Sequence, residues 1–243
     1  MDKEISFKPF GKKAILIEWK SIISDEILKD ILSFKSKIEN QKKVFFTDLI
    51  VGYNSLTIKY IKEIKNFEEE VKNLKSIYLS TLEKVTKRNY TWQIPVCYDV
   101  SFGIDLEEVS EKSKLTIEQI IKLHSEKLYT VFFIGFLPGF LYLGGLNKQL
   151  YFDRKPNPRL KVEKGSLAIG GKQTGVYPVD SPGGWNVIGK TPVNFFDLKN
   201  REPCFANAGD KIKFKPISLT EFHQIKKEVE QNKYQLSKTL LNG

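Results

Sequence analysis

The stretch "FFIGFLPGFLYLGGL", Phe132–Leu146, decides how this sequence is read as a fold. It is the most apolar run in the chain, yet four glycines and a proline interrupt it. Glycine and proline at this density argue against a continuous helix. No window here or elsewhere reaches the roughly 18 uninterrupted apolar residues of a membrane span. Apolar residues before Gly135 and after Gly139 call for burial. Glycine opens backbone angles closed to other residues and lets a ligand approach the main chain. The stretch therefore reads as two buried strands joined by the rigid turn "GFLPGF", with Phe136 and Phe140 pinned inward. Two uses of that turn stay open: a tight barrel corner, or a wall of a ligand pocket built from Gly135, Phe136, Pro138, Gly139 and Phe140.

Outward from this stretch the composition changes. Residues 1 to about 95 hold only Gly11 and Gly52, whereas residues 135–189 hold eleven glycines. In the second half, "GSLAIGG", "TGVYPV", "WNVIGKT", "VNFFDL" and "DKIKFKPI" are short apolar runs split by Gly, Pro, Asn and Asp. Many short strands with glycine-rich turns point to a closed barrel or a sandwich. The strand "YTVFFIGF" is fed by a helical bridge: Asp105 is placed to cap "LEEVSEKS", and Thr116 with Gln119 forms a capping box for "IEQIIKLHSEK". Thr220 to Leu241 reads as an amphipathic helix with a frayed tail.

The first part reads as strand, helix, two strands, helix, strand, the split βαβ or ferredoxin-like βαββαβ order. Ala14–Trp19 is the first strand. Ser24 or Asp25 caps a helix with the apolar face Leu28, Ile31, Leu32 and Ile38. "KVFFTDLIV" and "SLTIKY" form a pair around a Gly-Tyr-Asn turn. Ile61, Ile64, Phe67, Val71, Leu74 and Ile77 recur at helical spacing, and "NYTWQIPVCY" closes the unit. The expected organisation is thus an α+β ferredoxin-like domain over 1–95, a mainly-β domain over 96–219, and a helix and tail over 220–243.

Composition narrows the class of function. At 243 residues and 41% apolar content, the chain has the material for a real core. The net charge of +10 is carried mostly by lysines that alternate with glutamates, as in "KYIKEIKNFEEEVKNLK". That is a solvated surface rather than a nucleic-acid footprint, and it suits small anions or an acidic partner protein. Cys97 and Cys204 fit neither a disulfide framework nor a metal motif and read as buried reduced thiols. The first residues lack a basic segment followed by an apolar one, so no secretory leader is expected and the cytoplasm is the default.

Candidate chemistry gathers in the glycine-rich half. Arg154 and Arg159 sit beside two prolines in "DRKPNPRL". A guanidinium fork matches carboxylate or phosphate, so a stiff loop with two of them reads as an anion clamp or as a loop held by arginine–carbonyl bonds. "GGKQTGVY" offers main-chain N–H groups around Gly171 with Lys172, Gln173 and Tyr177, but lacks the P-loop spacing. "SPGGW" places Ser181, Gly183, Gly184 and Trp185 together, in a turn or in a site. His124, near a helix C-terminus, either answers the helix dipole or transfers a proton. His223 reads as exposed. No residues share metal-ligand spacing, so no metal centre is expected, and there is no nucleophile elbow.

Taken together, "IPVCYD", "GIDLEEVSEKSKLTIEQIIKLH", "GFLPGFLYLGGL", "NPRLKVEKGSLAIGGKQTGVYP", "SPGGWNVIGKTP" and "AGDKIKFKPI" resemble, in order and spacing, the family of 5-oxoprolinase B subunits, also called KipI-like or allophanate hydrolase subunit 1 proteins. The resemblance covers nearly the whole chain and is strongest from residue 94 to 217. It implies a cyclophilin-like β-barrel for the second half. It implies two partners, the C and A subunits of 5-oxoprolinase, with which ATP and its Mg2+ would drive the conversion of 5-oxo-L-proline to L-glutamate, the chain being inactive alone. Arg154, Arg159, Lys172 and the glycine main chain would supply anion donors. His124 would handle a proton or bond the lactam oxygen. Phe136, Pro138, Phe140 and Trp185 would wall the site. Other members of the family imply an inhibitor of a sensor histidine kinase, or a urea-carboxylase-type protein acting on amides. Nucleic acid and membrane are not expected partners. Two departures stand out: Glu163 where the family usually has proline, and Lys190 where it usually has arginine.

Overall fold

The computed structural model describes residues 5–41, 44–81 and 88–241. The chain divides into two compact units, Met1–Lys87 and Arg88–Gly243. The expected strand start at Lys43 lies outside the described residues.

The first unit contains β1 (Ser6–Pro9), β2 (Ala14–Glu18), α1 (Asp25–Glu39), β3 (Phe46–Val51), β4 (Ser55–Tyr60) and α2 (Phe67–Leu79). Its antiparallel sheet runs β1-β2-β4-β3. The Ser24 side chain caps α1 by accepting from the Glu26 N–H. The buried face of that helix is Leu28, Ile31, Phe34 and Ile38, with Phe34 in the place the spacing assigns to Leu32. Asn66 caps α2, so Ile61 and Ile64 precede the helix rather than belong to it. Ile15, Ile17, Leu56 and Ile58 from the sheet pack against Ile31, Phe34, Ile38 and Leu74 from the helices.

The βαββαβ expectation needs correction at its last strand. Tyr90–Val96, here β5, does not close the first sheet; β1 occupies the edge beside β2 instead. β5 pairs in parallel with β13 (Lys211–Pro216) of the second unit, from Thr91↔Lys211 to Val96↔Pro216. Buried Asp210, just before β13, fixes this choice. Its carboxylate accepts from the Tyr90 N–H at 2.9 Å and from Trp92 Nε1 at 2.9 Å. Those bonds satisfy a charge that would be costly to bury alone.

The second unit adds α3 (Leu106–Ser113), α4 (Ile117–Ser125), β6 (Tyr129–Ile134), β7 (Leu141–Gly144), β8 (Arg159–Val162), β9 (Ser166–Gly170), β10 (Gln173–Val176), β11 (Ser181–Gly183), β12 (Asn186–Lys190), α5 (Leu219–Glu230) and β14 (Lys238–Leu240). Its main sheet is ordered β12-β9-β10-β7-β6-β13-β5-β14, and β8 pairs with β11 as a separate ribbon. The sheet curls until β12 meets the residue after β5: Cys97 and Lys190 exchange two main-chain hydrogen bonds of 2.8 Å. The tail expected to fray after α5 instead adds β14 to β5. "VNFFDL" is irregular. Val193 and Phe195 are buried with Asn194 exposed, which imitates the alternation of a strand without forming one.

Strand alternation gives the curled sheet two populations of side chains. Leu141, Leu143, Leu167, Ile169 and Ile188 point to the large inner core, shared with Leu106, Val109 and Ile120 of the helices. Their neighbours Tyr142, Ala168 and Val187 face the other way, into a second cluster with Phe140, Val162, Tyr177 and Trp185. That outer cluster includes three of the residues expected to bind a ligand, Phe140, Tyr177 and Trp185.

Candidate functional site

The turn between β6 and β7 anchors the outer cluster. The Gly135 N–H donates to the Phe140 carbonyl at 3.1 Å, Leu137 N–H to Gly135 at 2.8 Å, and Phe140 N–H to Leu137 at 3.0 Å. Gly139, at φ +82°, packs against the Phe195–Phe196 backbone so closely that a Cβ would lie 2.7 Å from Phe196 Cβ. Only glycine serves there, on both counts. Phe140 points inward as expected, but Phe136 does not: it is 65% exposed, at φ +65°. A bulky residue in the left-handed region costs about 1–3 kcal/mol, so this phenyl ring is held outward against a conformational penalty. Pro138 is exposed beside it.

Around Phe140 the rings meet edge to face. Trp185 lies 5.7 Å away at 80°, Tyr177 at 5.8 Å and 82°, and Phe136 at 5.6 Å and 90°. Tyr142 adds a tilted contact at 5.2 Å and stacks on Phe133 at 4.2 Å. Gly170 of β9 lets the Trp185 ring lie flat against the sheet, since a Cβ there would sit 2.6 Å from the indole. The exposed Arg154 guanidinium covers the indole, 5.7 Å from its ring centre. Gly171 and Lys172 form the β9–β10 hairpin, and Gly171 exchanges main-chain bonds with Phe152 of the Arg154 loop. Lys172 is exposed and Gln173 half-buried. In the "SPGGW" segment, Ser181 and Gly183 lie in the β8–β11 ribbon, and the Gly184 carbonyl accepts from the Lys155 N–H at 2.7 Å. The Ser181 hydroxyl is buried without a hydrogen-bond partner.

Arg154 and Arg159 do not form a free two-armed clamp. Burial raises the pKa of the Tyr177 phenol, and a main-chain hydrogen bond from Trp185 and the charges of both arginines partly offset the rise. Arg159, however, donates from Nη2 to Asp105 Oδ1 at 2.6 Å, while its Nη1 is buried without a partner. Asp105, 2% exposed, also accepts from Lys155 Nζ at 2.8 Å and from the Val187 N–H at 2.7 Å. Asp105 stands at the start of α3 as expected, but its side chain makes no capping bond. Its carboxylate has turned from its own helix to join the Arg159 strand, the Lys155 loop and β12. Lys155 also reaches Glu108 at 2.5 Å, and hydrogen bonds from Lys112 and Lys155 hold that carboxyl down to about 2. The sequence marks Asp105 only as a cap; its true partner lies 54 residues away.

His124 leaves the site altogether. It is fully buried on α4, among Tyr129 and Phe214. Its Nδ1 is 2.9 Å from the Tyr98 hydroxyl and its Nε2 2.8 Å from Thr174 Oγ1, and Thr174 donates onward to the Ala168 carbonyl at 3.0 Å. Since the Thr174 proton goes to Ala168, Nε2–H donates to Thr174 and Nδ1 accepts from Tyr98. Burial pushes the imidazole down to about 3, so it is neutral. A ring with both nitrogens engaged and no exposed atom is a core element, which corrects its expected role as proton carrier.

A cleft of about 260 Å³ lies between the Ser101–Ile104 segment, β8 and β12, lined by Phe102, Arg159, Lys161, Glu163, Ser166 and Lys190 among others. Its cations are engaged: Arg159 by Asp105, Lys161 by Asp180 at 2.9 Å, and Lys190 by Glu163 at 2.5 Å. The two departures from the family pattern, Glu163 and Lys190, are therefore partners of each other. Among the described residues no helix is long and apolar enough to cross a membrane.

The curled eight-stranded sheet with its flanking helices makes the second unit a mixed α/β structure. Residues 5–206 match the carboxyltransferase domain, subdomain C and D, and the chain belongs to that family. The 5-oxoprolinase B subunit of Bacillus subtilis (strain 168) is 34% identical over 238 residues, which cover 94% of this chain and 99% of that protein. One crystallised chain is 29% identical with a TM-score of 0.73; the match covers 85% of this chain but 40% of that longer one. The Kluyveromyces lactis urea amidolyase superposes with a TM-score of 0.80 over 98% of this chain at 16% identity, a likeness of fold alone.

Proposed function

We propose that this chain is the B subunit of a 5-oxoprolinase complex, acting with the C and A subunits to open the lactam of 5-oxo-L-proline to L-glutamate. The observation that carries this reading is the end-to-end match with the Bacillus subtilis B subunit, 94% of one chain against 99% of the other. The curled second sheet supports its description as a cyclophilin-like barrel. The urea amidolyase of Lachancea kluyveri, 23% identical over 241 residues that make up 12% of that protein, is too distant to favour urea-type substrates.

A lactam carbonyl resists attack by water, so a ring-opening site must hold a small carboxylate, polarise the ring amide and exclude bulk solvent. In this chain exposed Phe136 and half-buried Tyr142 supply apolar surface over the buried Phe140–Trp185 cluster. Arg154, over the indole, supplies an exposed cation, and Lys172 a second. The ATP and Mg2+ expected from the resemblance do not fit the cleft beside Arg159. It falls below the roughly 300–1,000 Å³ of small-molecule sites, and its cations are already paired with carboxylates. We assign nucleotide binding to the assembled complex and expect the isolated chain to be inactive.

The test is co-expression with the C and A subunits, followed by an assay of 5-oxoproline-dependent glutamate release with ATP. Activity that needs all three chains supports the reading. A stable assembly that releases no glutamate overturns it. Arg154→Ala in that assembly is expected to lower turnover at least tenfold, with the unfolding midpoint of the isolated chain within about 2 °C of wild type, about 0.5 kcal/mol for a surface change.

A further inference from the structure

The geometry points to the Phe136 turn as the docking anchor for a separate partner chain, which under the proposed function is the C subunit. Phe136 is a large aromatic, 65% exposed, in a backbone conformation that favours glycine. Such an outlier persists only where the surroundings enforce it, and it marks function rather than packing. The enforcement is visible: three main-chain bonds close the turn, and Gly139 wedges it against Phe195 and Phe196. The ring is thus displayed on a rigid mount, with its base against Phe140. Rigid aromatics beside an arginine are what interface centres use, because little freedom is lost on binding.

Three observations select the occupant. The Bacillus subtilis relative is a subunit by name, and the solved chain at 29% identity carries most of its length outside the part matched here. Under the proposed function, a separate chain supplies the polypeptide that would pack against this unit. The two exposed groups, Phe136 and Arg154, rest on one buried aromatic cluster, Phe136 edge-on against Phe140 and Arg154 over Trp185. The exposed charged groups of this face include Arg154 and Lys172 on a chain of net charge +10. The partner surface is therefore an apolar pocket for one phenyl ring with a carboxylate rim. Docking there would also roof the Arg154 face and exclude water from it.

The experiment is titration of the purified C subunit into this chain. Phe136→Gly relieves the strained conformation, so a purely structural side chain and a docking side chain separate cleanly. Docking predicts that Phe136→Gly unfolds no earlier than wild type yet binds the C subunit at least about 30-fold more weakly. Phe136→Asn, which also tolerates the left-handed region, is expected to do the same and serves if the glycine variant folds poorly. Wild-type binding should weaken in 0.5 M NaCl, as acidic–basic contacts are screened. Equal binding by wild type and both variants overturns the anchor while leaving the proposed function intact. Wild type that does not bind the C subunit at all overturns the proposed function and the anchor with it.

Discussion

The inner and outer sides of the curled sheet use the same residue types in opposite ways. Inside, His124 has both ring nitrogens bonded, and Tyr98 and Thr174 are consumed in holding it. Outside, Arg154 lies on Trp185 facing solvent, and Phe136 projects from a strained turn. Polar capacity on the inner side is spent on the fold. Capacity on the outer side is left over, and that surplus distinguishes a site from a core. A histidine at the end of a helix and an arginine in a proline-bearing loop look equally chemical in a sequence. Only the count of satisfied atoms separates them.

The comparison can be broken most forcefully at His124. Replacing it with alanine leaves a cavity and two buried hydroxyls short of a partner, and is expected to cost about 4 kcal/mol in urea unfolding. The same ring has a pH signature. Its folded pKa, about 3, lies below its unfolded value of 6.5, so the unfolded chain takes up a proton first. Stability then falls as pH drops from about 6.5 toward 3, at up to about 1.4 kcal/mol per pH unit. Glu108 acts in the same direction at lower pH: its carboxyl is held near 2 rather than 4.5, so its contribution is lost as pH falls through that lower range. Urea midpoints between pH 5 and 6.5 therefore isolate the histidine. His124→Gln should flatten that slope, and an unchanged slope would show that the ring is not neutral in the core.

A smaller effect is expected at Asp105, which borders both sides. Asp105→Asn removes the charge that answers Lys155 and Arg159 while leaving their burial unchanged, at a cost of about 3 kcal/mol. Because the same carboxylate ties the Arg154 loop to β12, the variant should also change the Trp185 fluorescence. A loss of stability with no spectral change would confine Asp105 to packing. The smallest effect is expected at Lys190→Arg. Lys190 pairs with Glu163 on the rim of the cleft, 5.5 Å from the Phe102 ring centre. A guanidinium can serve the same two partners, so the unfolding free energy should move by no more than about 0.5 kcal/mol.

Much of the fold is legible because its signals are short-range. The Thr116–Gln119 capping box forms as the sequence predicts, and so do the strands around the Gly-Tyr-Asn turn and the paired runs on either side of Gly171. The candidate site is legible in part. Phe140, Trp185, Tyr177 and Arg154 do assemble, because alternation along a strand and glycine-made gaps are written locally. Phe136 is expected inward and stands outward, since nothing in the sequence tells a buried phenylalanine from one held out by a turn. Asp105 is expected as a cap, which its position allows and its partners override.

What the sequence determined by itself is the set of elements, their caps and turns, the contrast between its two halves and the family motifs, all governed by neighbours a few residues apart. What only the tertiary structure decided is which sheet receives β5, whether His124 is wet or dry, and where Asp105 spends its charge. Those outcomes rest on contacts between residues 50 or more apart, as in His124–Thr174 and Asp105–Arg159. Burial and pairing at that range depend on the whole fold, so no local pattern encodes them.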